Sequence, residues 1–456
     1  MGQLDSSVVL VALPAMAQSF AVRAVDLSPG VTVYVLAQAV LLPISNWVAE
    51  RLGARRVFVL ALVFFCVASI GCGVSHSFGQ FIAARVLQGA AAALMIPVAR
   101  IILLQSTRKQ DLISATAIST VPMLVAPTLG PAIGGLLTTY ASWPWIFFLN
   151  IPFGVLAVIS ARRFLPDLPG QPGRGFDAVG FALTAASIVG LLSGLNYLSQ
   201  ATVRWTPAIV LTVGGLVVGV AAMRHLWRHP APIVSLHSTR VRTYSITALG
   251  GGALVRLPMR AASFVLPLLF QFELGFSAFQ AGLMLLALNG GDLVLKAVTT
   301  RTLRRFGFRT VLLTSGLAMM VLTGACAGFS VSTPVWLMVL VLTACGMARS
   351  LLFTGMSTLS FADVPPGELG NASVLWNVMQ QVTNALGVSI AAITLNFVAA
   401  ALGQPAGYIG RYNCLAALLV ATAIGAFALL EFRKLPLDAG AAISGHSLDS
   451  CRDNCR

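Results

Sequence analysis

The chain has 456 residues, of which 57% are hydrophobic and only 9% are charged, and its mean hydropathy is +0.88. Soluble domains carry roughly 25% charged residues, because their surfaces need polar cover. The composition therefore excludes a soluble enzyme, a nucleic-acid-binding protein and a disordered chain, and it predicts a protein whose solvent is mostly lipid. The net charge of +15 then indicates basic loops on one side of a membrane.

Fourteen apolar stretches are predicted to be transmembrane helices, because a helix that crosses a membrane needs about 20 apolar residues. Charged residues and Gly/Pro clusters separate these stretches. In chain order the predicted spans lie at 4–20, 31–49, 57–74, 78–104, 114–140, 145–161, 178–198, 208–223, 244–270, 278–298, 310–329, 334–361, 372–400 and 414–430. The fold class is therefore predicted to be an all-α membrane protein.

The basic residues of the predicted loops indicate the orientation of the chain. If the N-terminus lies inside, the alternating spans place 20 Lys and Arg residues on the cytoplasmic side and three on the opposite side. Cytoplasmic loops collect basic residues, so this distribution predicts an even number of spans with both termini cytoplasmic.

The first predicted span is short. Asp5 lies close to its start, and only about 16 mostly apolar residues follow. At 1.5 Å per residue these cover about 24 Å of a hydrocarbon core that is about 30 Å thick. We expect either that the true start codon is not Met1 or that the first helix is truncated.

A short motif occurs twice. Residues 50–55, ERLGAR, follow the second span, and residues 304–309, RRFGFR, follow the tenth. Their separation corresponds to eight spans of roughly 32 residues, whereas a plain duplication of six helices would give six. The chain is therefore predicted to have two six-helix halves, at 1–161 and 244–434. Two additional helices with cytoplasmic loops lie between them, at 162–243, and a cytoplasmic tail follows at 435–456. Two such halves form a transporter whose substrate site lies near the midplane between them.

Ionisable residues within the predicted spans are few. Arg85 lies about seven residues inside the fourth span, where an unpaired charge costs several kcal/mol. It is predicted either to be a functional residue or to form a structural ion pair. The acidic residues predicted to lie in the membrane are Asp5, Asp292 and, near an outer boundary, Glu273.

The second half carries a carboxylate of its own. Asp292 and Lys296 are four residues apart on one face of the tenth span. Asp292 is a candidate functional carboxylate, and the alternative is a self-neutralising pair near the cytoplasmic end of the helix.

Three arginines in the second half are unexpected in lipid. Arg256 and Arg260 lie four residues apart near the middle of the ninth span, and Arg349 lies in the middle of the twelfth. One interpretation is that they pair with Asp292 and with backbone carbonyls around the glycines at 250–252. The other is a pocket that accepts an anion.

The thirteenth span presents neutral polar side chains on one helical face: Ser373, Asn377, Gln381 and Asn384. They are predicted either to form hydrogen bonds in a hydrated cavity or to bond neighbouring helices together.

Four blocks of sequence resemble a known family. They are LDSSVVLVALP at 4–14, NWVAERLGARR at 46–56, RVLQGA at 85–90, and GPAIGG at 130–135 with WIFF and Asn150 beyond it. In this order the blocks are similar to those of the 14-spanner drug:proton antiporters of the major facilitator superfamily, the multidrug-efflux permease group. The chain departs from that pattern at Asn46, where the family has Gly, and at Glu50, where it has Asp.

The resemblance implies the major facilitator fold and a role for each block. Proton coupling is expected at Asp5, Arg85 and Asp292. The substrate cavity is expected at Gln88, Arg256, Arg260, Arg349, Asn377, Gln381 and Asn384. A latch that shuts the cytoplasmic side is expected at Glu50, Arg51, Gly53, Arg55, Arg304, Arg305, Gly307 and Arg309. The antiporter motif is expected at Gly130, Pro131, Gly134 and Gly135.

The resemblance also implies a transporter that exports lipophilic small molecules across the bacterial inner membrane in exchange for protons. No cofactor is expected, since the proton gradient supplies the energy, and no enzymatic motif or metal site is predicted. The expected partners are the substrate, protons and the lipid bilayer, with a periplasmic adaptor and an outer-membrane channel as further candidates and no nucleic acid. Two alternatives stay open: transport of an amphiphilic organic anion, and an inactive truncated relic.

Overall fold

The structure, a computed structural model, describes residues 1–20, 28–108, 111–166, 170, 175–200, 203–405, 408–436 and 438–441. Helices make up most of these residues. In chain order they are α1 (Gly2–Ser19), α2 (Ser28–Leu41, continued by Ser45–Leu52), α3 (Ala54–Gly73), α4 (Phe78–Ser106), α5 (Leu112–Tyr140), α6 (Trp145–Phe148, continued by Asn150–Phe164), α7 (Ala178–Leu198), α8 (Trp205–Arg228), α9 (Gly251–Leu268), α10 (Ala278–Phe306), α11 (Phe308–Cys326), α12 (Val335–Ala362), α13 (Leu369–Ala401) and α14 (Arg411–Phe432).

The all-α prediction is confirmed, and each predicted span overlaps one of these helices. Eleven helices in the described part of the chain are long and apolar enough to cross a membrane, or up to twelve if the bent pair 280–296 and 298–306 forms one span. The number of fourteen membrane spans stays a prediction. Most of the predicted tail, from residue 442 onward, lies outside the described residues.

The repeated motif forms the same local structure in both places. Gly53 joins α2 to α3 with a φ of 88°, and Gly307 joins α10 to α11 with a φ of 73°. Glycine adopts this left-handed region at little cost, because it has no Cβ. Arg55 donates from Nη2 to the carbonyl of Arg162 in α6, and Arg309 donates in the same way to the carbonyl of Arg433, 2.9 Å away, just after α14. The two contacts correspond under a shift of eight helices, as the predicted repeat requires.

The two additional helices pack against each other and beside the halves. Gly190 of α7 and Gly215 of α8 lie in close contact, since a Cβ at Gly190 would be 2.9 Å from the Gly215 Cα. α7 also packs on α2 and α13. Only 17% of the most apolar window of α8 is buried within the protein. Lipid is the solvent that such an apolar surface requires.

A buried carboxylate fixes the start of α7. Asp177 caps the helix by accepting from the backbone N–H of Gly180 at 2.7 Å, and it also accepts from Ile233 N at 3.2 Å and contacts His225 Nε2 at 2.9 Å. Burial raises the pKa of this carboxyl, but the three hydrogen bonds outweigh burial and hold the pKa below its ordinary value. With His229, these side chains bring three possible metal-binding atoms within 4.8 Å of one another, a group that the sequence analysis did not consider.

The halves meet along several helix pairs. α5 packs on α10 and α12, and α13 packs on α2 and α4. Within the second half, α10 and α12 approach closely at two glycines: a Cβ at Gly291 would lie 2.1 Å from the Thr343 carbonyl oxygen, and one at Gly346 would lie 1.9 Å from that of Leu288. This contact positions Asp292, which follows Gly291 directly.

We expect Gly291→Ala to lower the melting temperature of the purified protein in detergent, because extra volume between two helix backbones costs about 1–3 kcal/mol. Gly290→Ala is the matched control, since a Cβ at Gly290 would meet nothing within 4 Å. Thermal unfolding followed by tryptophan fluorescence measures the difference. Equal melting temperatures for the two variants would contradict the close approach of α10 and α12.

Candidate functional site

A fully buried ion pair joins α1 to α4. Arg85 Nη1 lies 2.5 Å from Asp5 Oδ2, and both side chains are 0% exposed. Two buried charges are stable without water only when they are close together and their remaining polar atoms are bonded. The structure thus brings together two of the three residues that were predicted for proton coupling.

Neutral polar side chains complete the surroundings of this ion pair. Gln88 accepts from Arg85 Nη1 at 2.6 Å and donates to Asp5 Oδ1 at 3.0 Å. Asn150 donates to the same carboxylate oxygen at 3.2 Å. Gln88 also donates to Ser69 Oγ at 2.8 Å. Gln88 had been predicted for the substrate cavity, and its side chain is instead enclosed within this network.

An aromatic ring covers the other side of the guanidinium. Arg85 Cζ lies 4.3 Å from the ring centroid of Tyr34 and 5.9 Å from that of Phe147. Arg85 Nε donates to the Gly30 carbonyl at 3.2 Å. Ser69 and Tyr34 were not predicted as site residues, because a lone polar or aromatic residue in an apolar helix gives no signal of its partners.

The second half holds Asp292 between two cations. Arg349 Nε lies 3.3 Å from Oδ2, and Lys296 Nζ lies 3.6 Å from Oδ1. Each cation has a further partner: Arg349 donates to Asn289 Oδ1 at 2.9 Å, and Lys296 to Thr354 Oγ1 at 2.6 Å. The proximity of Asp292 and Lys296 fits both earlier interpretations, a coupling carboxylate and a self-neutralising pair.

The three unexpected arginines lie in different surroundings. Arg349 is paired with Asp292, as the first interpretation expected. Arg260 is exposed, whereas Arg256 is only 3% exposed and lies with its Cζ 3.9 Å from the ring centroid of Trp376. Within the described residues, no atom accepts a hydrogen bond from any of the three guanidinium nitrogens of Arg256.

The polar side chains on the predicted face of α13 differ in their burial. Asn377 is buried and donates to the Ser373 carbonyl of its own helix at 2.8 Å. Gln381 and Asn384 are half-buried further along the helix. A small cavity lies between the helices of the second half, lined by apolar side chains together with Thr323, two cysteines and Arg349.

The motif after α2 contacts the other half of the molecule. Asn46 Nδ2 donates to Glu50 Oε1 at 2.8 Å and to Asn371 Oδ1 of α13 at 3.1 Å. A Cβ at Gly370 would lie 1.8 Å from Asn46 Oδ1. Asn46 thus forms a hydrogen bond at the position where the family has glycine. Gly370 on the facing helix leaves space for the Asn46 side chain. Asn371 also accepts from the backbone N–H of Ser235 at 3.2 Å.

The other predicted latch residues lie at the ends of helices. Arg51 is exposed, with its Cζ 5.2 Å from the ring of Trp47. In the second copy, Arg304 and Arg305 are exposed at the end of α10, and the Cζ of Arg305 lies 5.4 Å from the ring of Phe306. Asn46 therefore forms a hydrogen bond between the halves, and Arg51, Arg304 and Arg305 lie exposed at helix ends.

The predicted antiporter motif lies on α5, which packs along α1. Gly130 and Gly134 are buried, and a Cβ at Gly134 would contact Val8 at 3.0 Å, whereas one at Gly135 would meet nothing within 4 Å. The side chain of Pro131 lies outside the described part of the structure. Gly134 thus lets α5 approach the helix that carries Asp5.

Comparisons with known proteins agree on one family. A family model described as Major Facilitator Superfamily matches residues 1–388. A protein of Serratia proteamaculans (strain 568), provisionally named multidrug resistance protein MdtD, is 34% identical over 449 residues, which cover 96% of this chain and 91% of that protein. A protein of Escherichia coli O9:H4 (strain HS) with the same provisional name is 35% identical over 405 residues, which cover 87% of this chain and 83% of that protein.

Solved structures of low sequence identity share the fold. The human organic anion transporter MFSD10 (TETRAN) superposes with a TM-score of 0.64 at 17% identity, over 94% of this chain and 89% of that one. The proton:xylose symporter XylE superposes with a TM-score of 0.63 at 13% identity, over 96% of this chain and 94% of that one. At these identities the likeness concerns the fold alone.

We expect Asp5→Asn and Arg85→Gln each to destabilise the protein strongly, because removing one partner of a buried ion pair costs about 3–5 kcal/mol. The double variant should lose less stability than the two single variants lose together, since neither charge is then left without its partner. Melting temperatures in detergent measure both effects. Lys434→Gln, which breaks an exposed pair with Glu431, is the control and should change little; purely additive losses would argue against the pair.

We expect Asn46→Ala and Asn371→Ala to loosen the contact between the halves, because each removes one side of their hydrogen bond. Distances between spin labels at Leu52 and Phe306, both exposed, should become longer in a chain without other cysteines. Asn413→Ala is the control, since that buried side chain bonds only within its own half. Unchanged distances in the first two variants would show that the bond does not hold the halves together.

Proposed function

The chain belongs to the major facilitator superfamily, and we propose that it is a proton-coupled secondary transporter that exports lipophilic small molecules by alternating access. The names of its relatives, multidrug resistance proteins that share a third of their residues with it, support a drug-like substrate. We further propose the bacterial inner membrane as its location, with both termini cytoplasmic, from the distribution of basic residues in the loops.

The observation that carries the proposal is the buried Asp5–Arg85 pair. A carboxylate in such surroundings has two stable states: charged beside the guanidinium, or neutral with a proton. Protonation of Asp5 removes the attraction that holds α1 to α4. A proton arriving from outside therefore changes both the charge of the site and the contact between two helices.

The amide groups around the pair suit both states. Gln88 and Asn150 donate to the Asp5 carboxylate, and an amide also offers an oxygen that accepts from a protonated carboxyl. Gln88 already accepts from Arg85, so it can retain the guanidinium when Asp5 becomes neutral. Rearrangement of these bonds would allow the proton to bind and leave without exposing an unpaired charge.

We propose that Asp292 is a second, subordinate coupling group. As in the first half, its partner arginine lies on the fourth helix of the half, Arg85 on α4 and Arg349 on α12. The carboxylate, however, lies on the second helix of its half and has Lys296 as an additional cation. We therefore propose Asp5 as the principal coupling group, because one cation contacts its carboxylate, whereas two contact that of Asp292.

Alternating access requires a contact that opens and closes between the halves. The Asn46–Asn371 bond joins the halves on the side that is predicted to be cytoplasmic. We propose that this conformation faces outward and that the bond breaks when the transporter turns inward. A periplasmic adaptor and an outer-membrane channel stay expectations from the resemblance.

The proposal is tested by efflux of the lipophilic cation rhodamine 6G from a bacterial host that lacks its own multidrug pumps. We expect the wild-type chain to lower dye accumulation, and a protonophore to abolish this effect. Asp5→Asn should abolish export, because the site can no longer exchange a proton. Glu431→Gln removes a half-buried carboxylate elsewhere, which lies in an ion pair with the exposed Lys434, and should leave export within about twofold of wild type.

The variants are compared at equal membrane abundance, measured by immunoblot of isolated membranes. Export that survives collapse of the proton gradient would overturn proton coupling. Unchanged export in Asp5→Asn would show that the Asp5–Arg85 pair does not couple export to protons.

A further inference from the structure

Arg256 is a buried cation without a hydrogen-bonded partner. Its side chain is 3% exposed, and none of its three guanidinium nitrogens has an acceptor within the described residues. Its Cζ lies over the face of Trp376, 3.9 Å from the ring centroid. A cation–π contact stabilises the charge but leaves the five N–H donors of the guanidinium unused.

A second guanidinium from the other half approaches the same indole. Arg100 of α4 has its Cζ 5.5 Å from the ring centroid of Trp376 and 5.5 Å from that of Phe361. Its buried Nη1 also has no acceptor in the part of the chain that the structure describes. Arg100 was not predicted as a site residue, because it lies near the predicted cytoplasmic end of its helix and so resembles an ordinary membrane-anchoring residue.

The charges around these two arginines do not cancel. Arg256 is repelled by both Arg100 and Arg260, and Arg260 by Arg349. The described residues offer no carboxylate that pairs with Arg100 or Arg256. The hydroxyl of Tyr244, which lies close enough to Arg256 to interact, donates to the Ala372 carbonyl at 2.7 Å. The arrangement thus has two adjacent cations, several N–H donors and no anion.

Two other arginines within the bundle do have hydrogen-bond acceptors. Nε and Nη1 of Arg85 donate to a backbone carbonyl, Asp5 and Gln88, whereas its Nη2 has no acceptor within the described residues. Arg349 has Asp292 and Asn289. Arg100 and Arg256 have aromatic rings where those two have carboxylates. A protein that keeps a buried cation at this cost commonly uses it for function.

We propose that Arg100, Arg256 and the indole of Trp376 form a binding site for lipophilic organic anions, namely aromatic molecules with a carboxylate or sulfonate group. The acidic group would bind between the two guanidinium groups, which match planar oxyanions well. The aromatic part would lie against Trp376 and Phe361. This inference rests on the proposed function, because it names the substrate class that the exporter takes.

The position of the site links binding to the movement of the halves. Arg100 lies on α4 of the first half, whereas Arg256 lies on α9 and Trp376 on α13 of the second. A bound anion would cancel the repulsion between Arg100 and Arg256 and draw α4 towards α9. Arg260, exposed four residues further along α9, would extend the positive path away from the predicted cytoplasmic side.

Two dyes with the same xanthene ring system and opposite charge test the proposal: fluorescein, an anion, and rhodamine 6G, a cation. Binding to the purified full chain in detergent is measured by fluorescence polarisation. We expect fluorescein to bind the wild type at least tenfold more tightly than rhodamine 6G does. Arg256→Gln and Arg100→Gln should each weaken fluorescein binding at least tenfold and leave rhodamine 6G binding within threefold of wild type.

Arg240→Gln is the matched control. Arg240 also lies over a tryptophan, with its Cζ 5.1 Å from the ring of Trp227, but it is exposed. This variant should bind both dyes as the wild type does. An equal loss of fluorescein binding in Arg240→Gln, or none in Arg256→Gln and Arg100→Gln, would overturn the site.

The melting temperature separates a binding role from a structural one. Fluorescein should raise the melting temperature of the wild type by several degrees and that of Arg256→Gln by at most one. If Arg256→Gln does not fold, Arg256→Lys keeps the charge but loses the planar fork, and fluorescein binding should then fall about threefold to tenfold. Unchanged binding in Arg256→Lys, together with an unfolded glutamine variant, would assign Arg256 a structural role alone.

Efflux in the same host distinguishes this inference from the proposed function. Gradient-dependent export of rhodamine 6G without any fluorescein binding would overturn the anion site and leave the exporter proposal intact. Fluorescein binding that depends on Arg100 and Arg256, without gradient-dependent export of either dye, would support the site and overturn the exporter.

Discussion

A charged side chain within this bundle has to find a partner, because neither lipid nor packed helices can replace the water that it leaves. The Asp5–Arg85 pair meets this constraint with two charges 2.5 Å apart and no exposure. Gln88 and Asn150 form hydrogen bonds with the pair, Ser69 accepts from Gln88, and Tyr34 covers the guanidinium. The packing of α1 on α5 at Gly134 brings the helix that carries Asp5 into place. The first half of the transporter is thus organised around one ion pair.

The second half meets the same constraint differently. Asp292 is shared by Arg349 and Lys296, whereas Arg256 lies on an indole without an anion. The chain is a duplicated major facilitator whose two copies of the motif keep one backbone turn, seen at Gly53 and Gly307. The copies have diverged in their charges: the buried carboxylate of the first half contacts one cation, whereas that of the second contacts two. Arg100 of the first half and Arg256 of the second both lie on Trp376 without a carboxylate partner within the described residues.

Much of this organisation was predictable from residue patterns. Apolar runs of about 20 residues specify membrane helices because the bilayer has a fixed thickness, and each predicted span overlaps an observed helix. The repeat was predictable because a turn with positive φ favours glycine, so both copies of the motif have glycine at the same position. Gln88 was predicted to line the substrate cavity, and the structure shows its side chain bonded to Asp5 and Arg85. Its spacing from Arg85 indicates that the two share a helical face but not which groups face them. Arg100 was overlooked, since an arginine near a helix end has many ordinary roles.

The sequence by itself determined the membrane class, the helix positions, the duplicated halves and the family, because each depends on local composition or on a short contiguous motif. Only the tertiary structure decided which charges are neutralised. Asp5 and Arg85 are 80 residues apart, and Arg100 and Trp376 come from different halves. Hydropathy and helical spacing describe one helix at a time, whereas the energy of a buried charge depends on atoms that other helices bring within a few ångströms. For that reason the paired arginines at 85 and 349 and the unpaired ones at 100 and 256 became distinguishable only after the helices were packed.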